Sequence, residues 1–373
     1  MMLSLFIQEN ITVALGFTLL HSLWEGVGLA FLTGLIIIFT RGSGAVVRYN
    51  LLVGALALFV GGVLFTFLYE IKQHPVSPGD WKGSLGSGWL GSRIGGWIGE
   101  HAGMVAAVWL AVISLKLIKL TFDLYTLQRL KVVRVKPLEA DFMHRVNSLA
   151  EELGIRKVIR VLESGIVRAP LVIGYIRPVI LIPAGMVTRV APADLEVILL
   201  HELAHIRRMD YLVNIFLRIV STLLFFNPAV FWVSSLIRTE RENCCDDMVI
   251  RHTGNKINYI RALVHFEEQR TPPYTMAFGG GSGILPRVER LAAGYGRTLN
   301  KIELFILSVL LVLTCFFEGA SIPSRATSAR AGTSSRASPA VQAPPDASQA
   351  SAMEAKLKAE AAASHRGPAD VHP

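Results

Sequence analysis

The sequence predicts an α-helical membrane protein with four transmembrane helices and an α+β domain inserted before the last of them. Composition is the first reason: of 373 residues, 52% are hydrophobic and only 17% charged. The second is that the apolar residues gather in runs near the roughly 20 that a helix needs to cross the hydrocarbon core. The third is a change of texture between the third run and the fourth, where residues 121–301 take on the mixed make-up of a folded polar domain dense in Arg and Lys. The net charge of +9 is then explained by topology. With no aromatic-basic stripe and no helix-turn-helix or zinc-finger spacing, direct nucleic-acid binding is not expected.

The N-terminal membrane region covers residues 1–120. Residues 1–10 carry no Lys or Arg, so the apolar run behind them lacks the basic start of a cleavable signal and reads as a retained anchor. The first span, about 12–39, contains His21 and Glu25, four apart on one face and expected to point into a helix bundle. Arg41 and Arg48 follow and mark that connection as cytoplasmic, which puts the N-terminus outside. A second span is expected at about 51–69, an extracytoplasmic loop along the interface over 70–101, and a third span at about 104–120, ending in Lys116 and Lys119. The fourth span, 302–317, returns the chain outside, where 318–373 form a disordered tail rich in Ala, Ser and Pro. The lipid bilayer is therefore the first partner, and the cytoplasmic membrane the location.

Within the cytoplasmic domain, residues 142–153 have the period of an amphipathic helix that stops at Gly154, and 158–162, 171–173 and 179–182 read as short strands. Pro192 opens a helix with Asp194 and Glu196 in its first turn. Residues 211–226 are apolar but interrupted by Asn214 and Arg218 and ended by Pro228, which favours a buried or membrane-surface helix over a span.

The helix behind Pro192 carries His201-Glu202-Leu203-Ala204-His205. Imidazoles at i and i+4 leave a helix on one face and can share one Zn²⁺, while the neighbouring glutamate reaches water at the metal without binding the metal itself. His201 and His205 are thus candidate ligands and Glu202 the candidate general base; the bland alternative is a pair of core histidines. A catalytic zinc needs a third protein ligand, and Arg238 to Asp247 supplies carboxylates on a helical pattern. Glu242 is the candidate ligand. Asp246, on the same face, would hold the far nitrogen of a ligating histidine, and Glu240 faces elsewhere. Cys244 and Cys245 would as thiolates make a closed structural site, so packing is the expected role. With Cys315 they form no disulfide framework.

On these residues the chain resembles the BlaR/MecR-type membrane metallopeptidases, bacterial β-lactam sensor-transducers. The pieces occur in order: Leu19 to Trp24, Arg48-Tyr49, Pro170 to Gly174 with Pro178 and Pro183, the His201 helix running on to Arg207-Arg208-Met209-Asp210, Asn227-Pro228, and Glu240-Arg241-Glu242 with Cys245-Asp246. The resemblance implies a gluzincin-like zinc metallopeptidase domain over 121–301, ligands His201, His205 and Glu242, catalytic Glu202, and a bacterial inner membrane. In such proteases the strand before the metal helix commonly receives substrate, which makes 179–182 a candidate edge for an extended peptide, with an ordinary core strand as the equal alternative. Sensor-transducers continue beyond the fourth span into a penicillin-binding domain. Here the tail after Phe317 has no Ser-x-x-Lys motif, so direct drug sensing is not expected.

The resemblance favours a regulatory endopeptidase that cleaves a cytoplasmic protein, such as a transcriptional repressor, in envelope or antibiotic-type signalling. Self-cleavage near the basic stretch 287–297 and a homo-oligomer belong to the same reading, with 279–283 as a flexible glycine-rich loop. An HtpX-like quality-control protease and a non-catalytic zinc-binding scaffold are the alternatives.

Overall fold

The computed structural model describes residues 2–73, 89–174, 178–270 and 284–294, with residues 303 and 355–356. The expected fourth span at 302–317, the tail at 318–373 and the loop at 279–283 lie outside the described residues but for those three positions.

Three long helices come first: α1 (Met2–Phe39), α2 (Ala45–Gln73) and α3 (Trp89–Leu130). Each holds a stretch long and apolar enough to cross a membrane, Ile11–Phe39, Ala45–Lys72 and Glu100–Leu130. The stretch expected as a loop over 70–101 is in large part helical, since α2 runs to Gln73 and α3 begins at Trp89. Its glycines suggested a loop, yet Ile94, Trp97, Ile98 and His101 recur at helical spacing, and glycine is common in membrane helices. Trp97 stacks on His101 one turn later at 4.7 Å. α3 also continues ten residues past its expected end, so the boundary placed at 121 falls inside one unbroken helix. Leu127 and Leu130 near its end pack against the sheet that follows.

That sheet has four strands, β1 (Val135–Pro137), β2 (Arg160–Ser164), β3 (Leu171–Ile173) and β4 (Val179–Pro183), in the order β1-β2-β4-β3. β2 and β4 are parallel; β1 on β2 and β3 on β4 are antiparallel. The candidate edge, 179–182, is thus interior and paired on both sides. Its unbroken Val-Ile-Leu-Ile run is the mark of a strand buried on both faces. Ile180 and Ile182 enter the main core with α4 (Ala140–Glu152), while Val179 and Leu181 face the end of α3. β3 is the edge.

Behind β4 come α5 (Met186–Arg189), the metal-site helix α6 (Pro192–Arg207), α7 (Asp210–Leu223), α8 (Pro228–Thr253), α9 (Lys256–Arg270) and α10 (Ile284–Ala293). α6 is central: Leu195, Leu199, Leu200, Leu203 and Ala204 are all buried, and burial of each large side chain is worth about 1.5–3 kcal/mol. It stops at Met209, a left-handed residue with φ 57°, which turns the chain into α7. α8 starts from Asn227, whose Oδ1 accepts the Ala229 N–H at 3.0 Å, with Pro228 in the first turn, and it stops at left-handed Gly254.

Residues 211–226, expected as a buried or membrane-surface helix, and the start of α8 form a helical hairpin that shares a core with the first two long helices. Leu217, Val220, Val230, Val233, Leu236 and Ile237 pack with Leu29, Leu52, Leu56 and Phe59 of α1 and α2. At its tip, Asn227 donates to the Ser22 carbonyl at 2.7 Å and Trp109 donates to the Leu223 carbonyl at 3.1 Å. Gly26 makes room for this, since a Cβ there would come within 2.5 Å of Asn227. Ser22 and Trp109 both lie well inside the stretches long and apolar enough to cross a membrane, so the tip of the hairpin packs against those two helices.

Candidate metal centre

α6 and α8 pack side by side, and their facing residues form the site. His201 and His205 stand with rings perpendicular and 4.9 Å apart. Nε2 of His201 lies 3.4 Å and Nε2 of His205 3.7 Å from the same oxygen, Oε2 of Glu242. The three donor atoms fall within 4.8 Å of one another. Tetrahedral zinc with bonds of about 2.0–2.2 Å spaces its ligand atoms by roughly 3.3–3.6 Å, so two imidazoles and a carboxylate arranged in this way fit that ion.

The far side of each candidate ligand is held. Nδ1 of His205 meets Asp210 Oδ2 at 2.8 Å. Tyr259 donates to Asp246 Oδ1 at 2.6 Å, which leaves its oxygen to accept from Nδ1 of His201 at 3.1 Å. Both protons are thereby assigned to Nδ1 and both Nε2 lone pairs face Glu242. Oε1 of Glu242 takes Arg241 at 2.8 Å, turning Oε2 toward the histidines. Asp246 is fully buried, receives Arg287 at Nε 3.0 Å and through a second guanidinium nitrogen, and lies 3.5 Å from His201 Nδ1.

Electrostatics follow from this packing. Burial alone would raise the Glu242 carboxyl, but its contacts with His201 and His205 more than reverse that and hold it well below the usual carboxylate range. Burial likewise opposes charge on His205, and the Asp210, Cys245 and Glu242 contacts overcome it and raise its pKa. Glu202, between the two histidines in sequence, is pushed up by burial against the lowering influence of His205 and His201. Burial also raises the Cys245 thiol. Cys245 packs 3.3 Å from Nδ1 of His205, the nitrogen already given to Asp210. His205, Asp210 and Cys245 also cluster closely enough to be considered for a metal, but a neutral buried thiol there is a packing group.

All five residues singled out in the sequence therefore lie on α6 and α8, and His201, His205, Glu242 and Asp246 are joined by the contacts above. Sequence reasoning missed Asp210, Tyr259, Arg287 and Arg241 as holders of that set. Asp210 had a signal, an acid one turn beyond the second histidine at the head of the next helix; Tyr259 and Arg287 had none.

Residues 97–281 match the family model described as BlaR1 peptidase M56. That match, just under half of the chain, makes this region similar to the M56 peptidases. The M56 region takes in α3 through α9, with every metal-site donor, and stops short of α10. Among relatives, the regulatory protein BlaR1 of Bacillus licheniformis is 28% identical over 173 residues, 44% of this chain and 28% of that protein. The methicillin resistance mecR1 protein of Staphylococcus aureus is 23% identical over 150 residues, 40% of this chain and 25% of that protein. The chain thus matches only about a quarter of the length of these relatives. The crystal structure of S. mikatae Ste24p is similar at 14% identity, covering 70% of this chain and 81% of that one with a TM-score of 0.32, a likeness too loose to bear on function. Beside this likeness stand three helices long and apolar enough to cross a membrane.

Proposed function

We propose that the chain is a regulatory zinc metalloendopeptidase of four spans, the last at 302–317, that cleaves a cytoplasmic protein such as a transcriptional repressor. The observation that carries this is the convergence of Nε2 of His201, Nε2 of His205 and Oε2 of Glu242 on one point. Zn²⁺ held there supplies Lewis acidity toward water and the scissile carbonyl. Glu202, next to a ligand on α6, takes the proton of the attacking water and passes it to the departing amine. Asp210 and Tyr259 keep both Nε2 atoms unprotonated and aimed. β3, which lies against α6 and pairs on one side only among the described residues, offers a peptide its free edge for strand addition.

Self-cleavage within 287–297 meets an obstacle. Arg287 and Arg290 lie in helix α10 with their guanidinium groups on Asp246 and Asp247, so an extended cut there requires α10 to unwind first. Profiling new protein N-termini in cells with wild type or Glu202→Gln tests the substrate class. Few cleavages, in cytoplasmic regulators, support the regulatory reading. Broad cleavage of membrane proteins supports an HtpX-like role, and identical profiles leave the scaffold.

A further inference from the structure

On another side of α8 from the metal centre, a cavity of about 460 Å³ opens between the α1–α2 connection, α8, the start of α9 and α10. That volume is typical of a small-molecule site. Arg41, Arg48, Lys256 and Arg290 line it, with Asp247 the acidic residue among its walls. Two of the cations are neutralised: Arg48 by Glu240 at 3.2 Å and Arg290 by Asp247 at 2.7 Å. Arg41 and Lys256 have no carboxylate partner among the described residues. Nε of Arg290 is buried without an acceptor. Gly44 and Ala45, where α2 begins, complete the wall. Gly44 has no side chain to cap that helix, whose first amides carry partial positive charge. Cations in excess, a buried donor lacking an acceptor and a helix start all call for an anion with several oxygens.

Its place in the fold says which anion. The cavity lies where two candidate spans end, Phe39 and Ala45. Next to the lining residues in the chain, Phe39 is 81% exposed and Val46 and Val47 are 39% and 47% exposed, apolar surface that suits acyl chains better than water. We propose that this cavity binds a phosphate group, that of an anionic phospholipid at the membrane surface. Because α8 carries Asp247 on the cavity and Asp246 and Glu242 at the metal centre, an occupied cavity braces the helix that holds the site.

The test is native mass spectrometry of the purified full chain offered equal phosphatidylglycerol and phosphatidylcholine, with Arg41→Gln/Lys256→Gln as the variant and Arg261→Gln, an exposed cation elsewhere on α9, as control. Each cation near an anionic surface is worth about fivefold in binding. Wild type is expected to prefer phosphatidylglycerol at least fivefold, the double variant to lose about 25-fold and the control to match wild type. Thermal melting in phosphatidylcholine alone checks folding; should the double variant melt early, Lys256→Gln alone is expected to lose about fivefold. Inorganic phosphate is the second probe: its binding by wild type and not by the variant, without lipid preference, keeps the phosphate site and reassigns its source. Equal retention of both lipids with no phosphate binding, or phosphatidylglycerol binding unmoved by either variant, overturns the proposal.

Discussion

Asp210 Oδ2 lies 2.8 Å from Nδ1 of His205, and the left-handed turn at Met209 is what brings it there. Groups that hold a ligand's far nitrogen typically contribute 10–100-fold to metal affinity. Asp210→Asn, which keeps shape and an acceptor, is expected to weaken zinc binding about tenfold, and Asp210→Ala toward 100-fold. Competition with a chromophoric chelator measures both; unchanged affinity would sink the assignment.

Tyr259 and Arg287 both serve Asp246, but for different ends. Tyr259→Phe removes only the hydroxyl between Asp246 and His201, so zinc affinity should fall roughly tenfold with the fold kept. Arg287→Met strands a fully buried carboxylate, a defect that costs about 3–5 kcal/mol. Its thermal midpoint should drop sharply, and a midpoint equal to wild type would contradict the pairing.

Arg48 and Glu240 form an ion pair with both side chains about 2% exposed, joining α2 to α8. Removing either partner leaves a buried charge and should cost about 3–5 kcal/mol, whereas Arg48→Met with Glu240→Leu should recover most of it. A double-mutant cycle on thermal unfolding checks this; additive losses would show that the pair does not interact.

Burial pushes the Cys244 thiol up to about 12 and raises that of Cys245 as well. Only the thiolate reacts, and it is lost as pH falls below the pKa. At pH 8 about one Cys244 in ten thousand is ionised, so iodoacetamide should label neither residue until the chain unfolds. Rapid labelling of the folded protein, read by mass spectrometry, would refute it.

Much of this was legible in the sequence because it is local. The His201 helix repeats every three to four residues, and Glu242 and Asp246 are one helical turn apart, so a single helical period places each group. The partners of those groups are distant in the chain: Tyr259 is 58 residues from His201 and Arg287 is 41 from Asp246. No periodicity reports such pairs. Of the two readings of 179–182, edge or core strand, the core strand holds, and the unbroken apolar run already carried the pattern of a strand buried on both faces. Helix 89–101 was missed because glycine was weighed as it is in water.

Zinc content and proteolysis, measured side by side on purified wild type, Glu202→Gln and Glu242→Gln in lipid, test the central claim most directly. Wild type and Glu202→Gln should each hold about one zinc per chain, Glu242→Gln markedly less, and only wild type should cut a test protein. Wild type without zinc, or cleavage by Glu202→Gln equal to wild type, would contradict it.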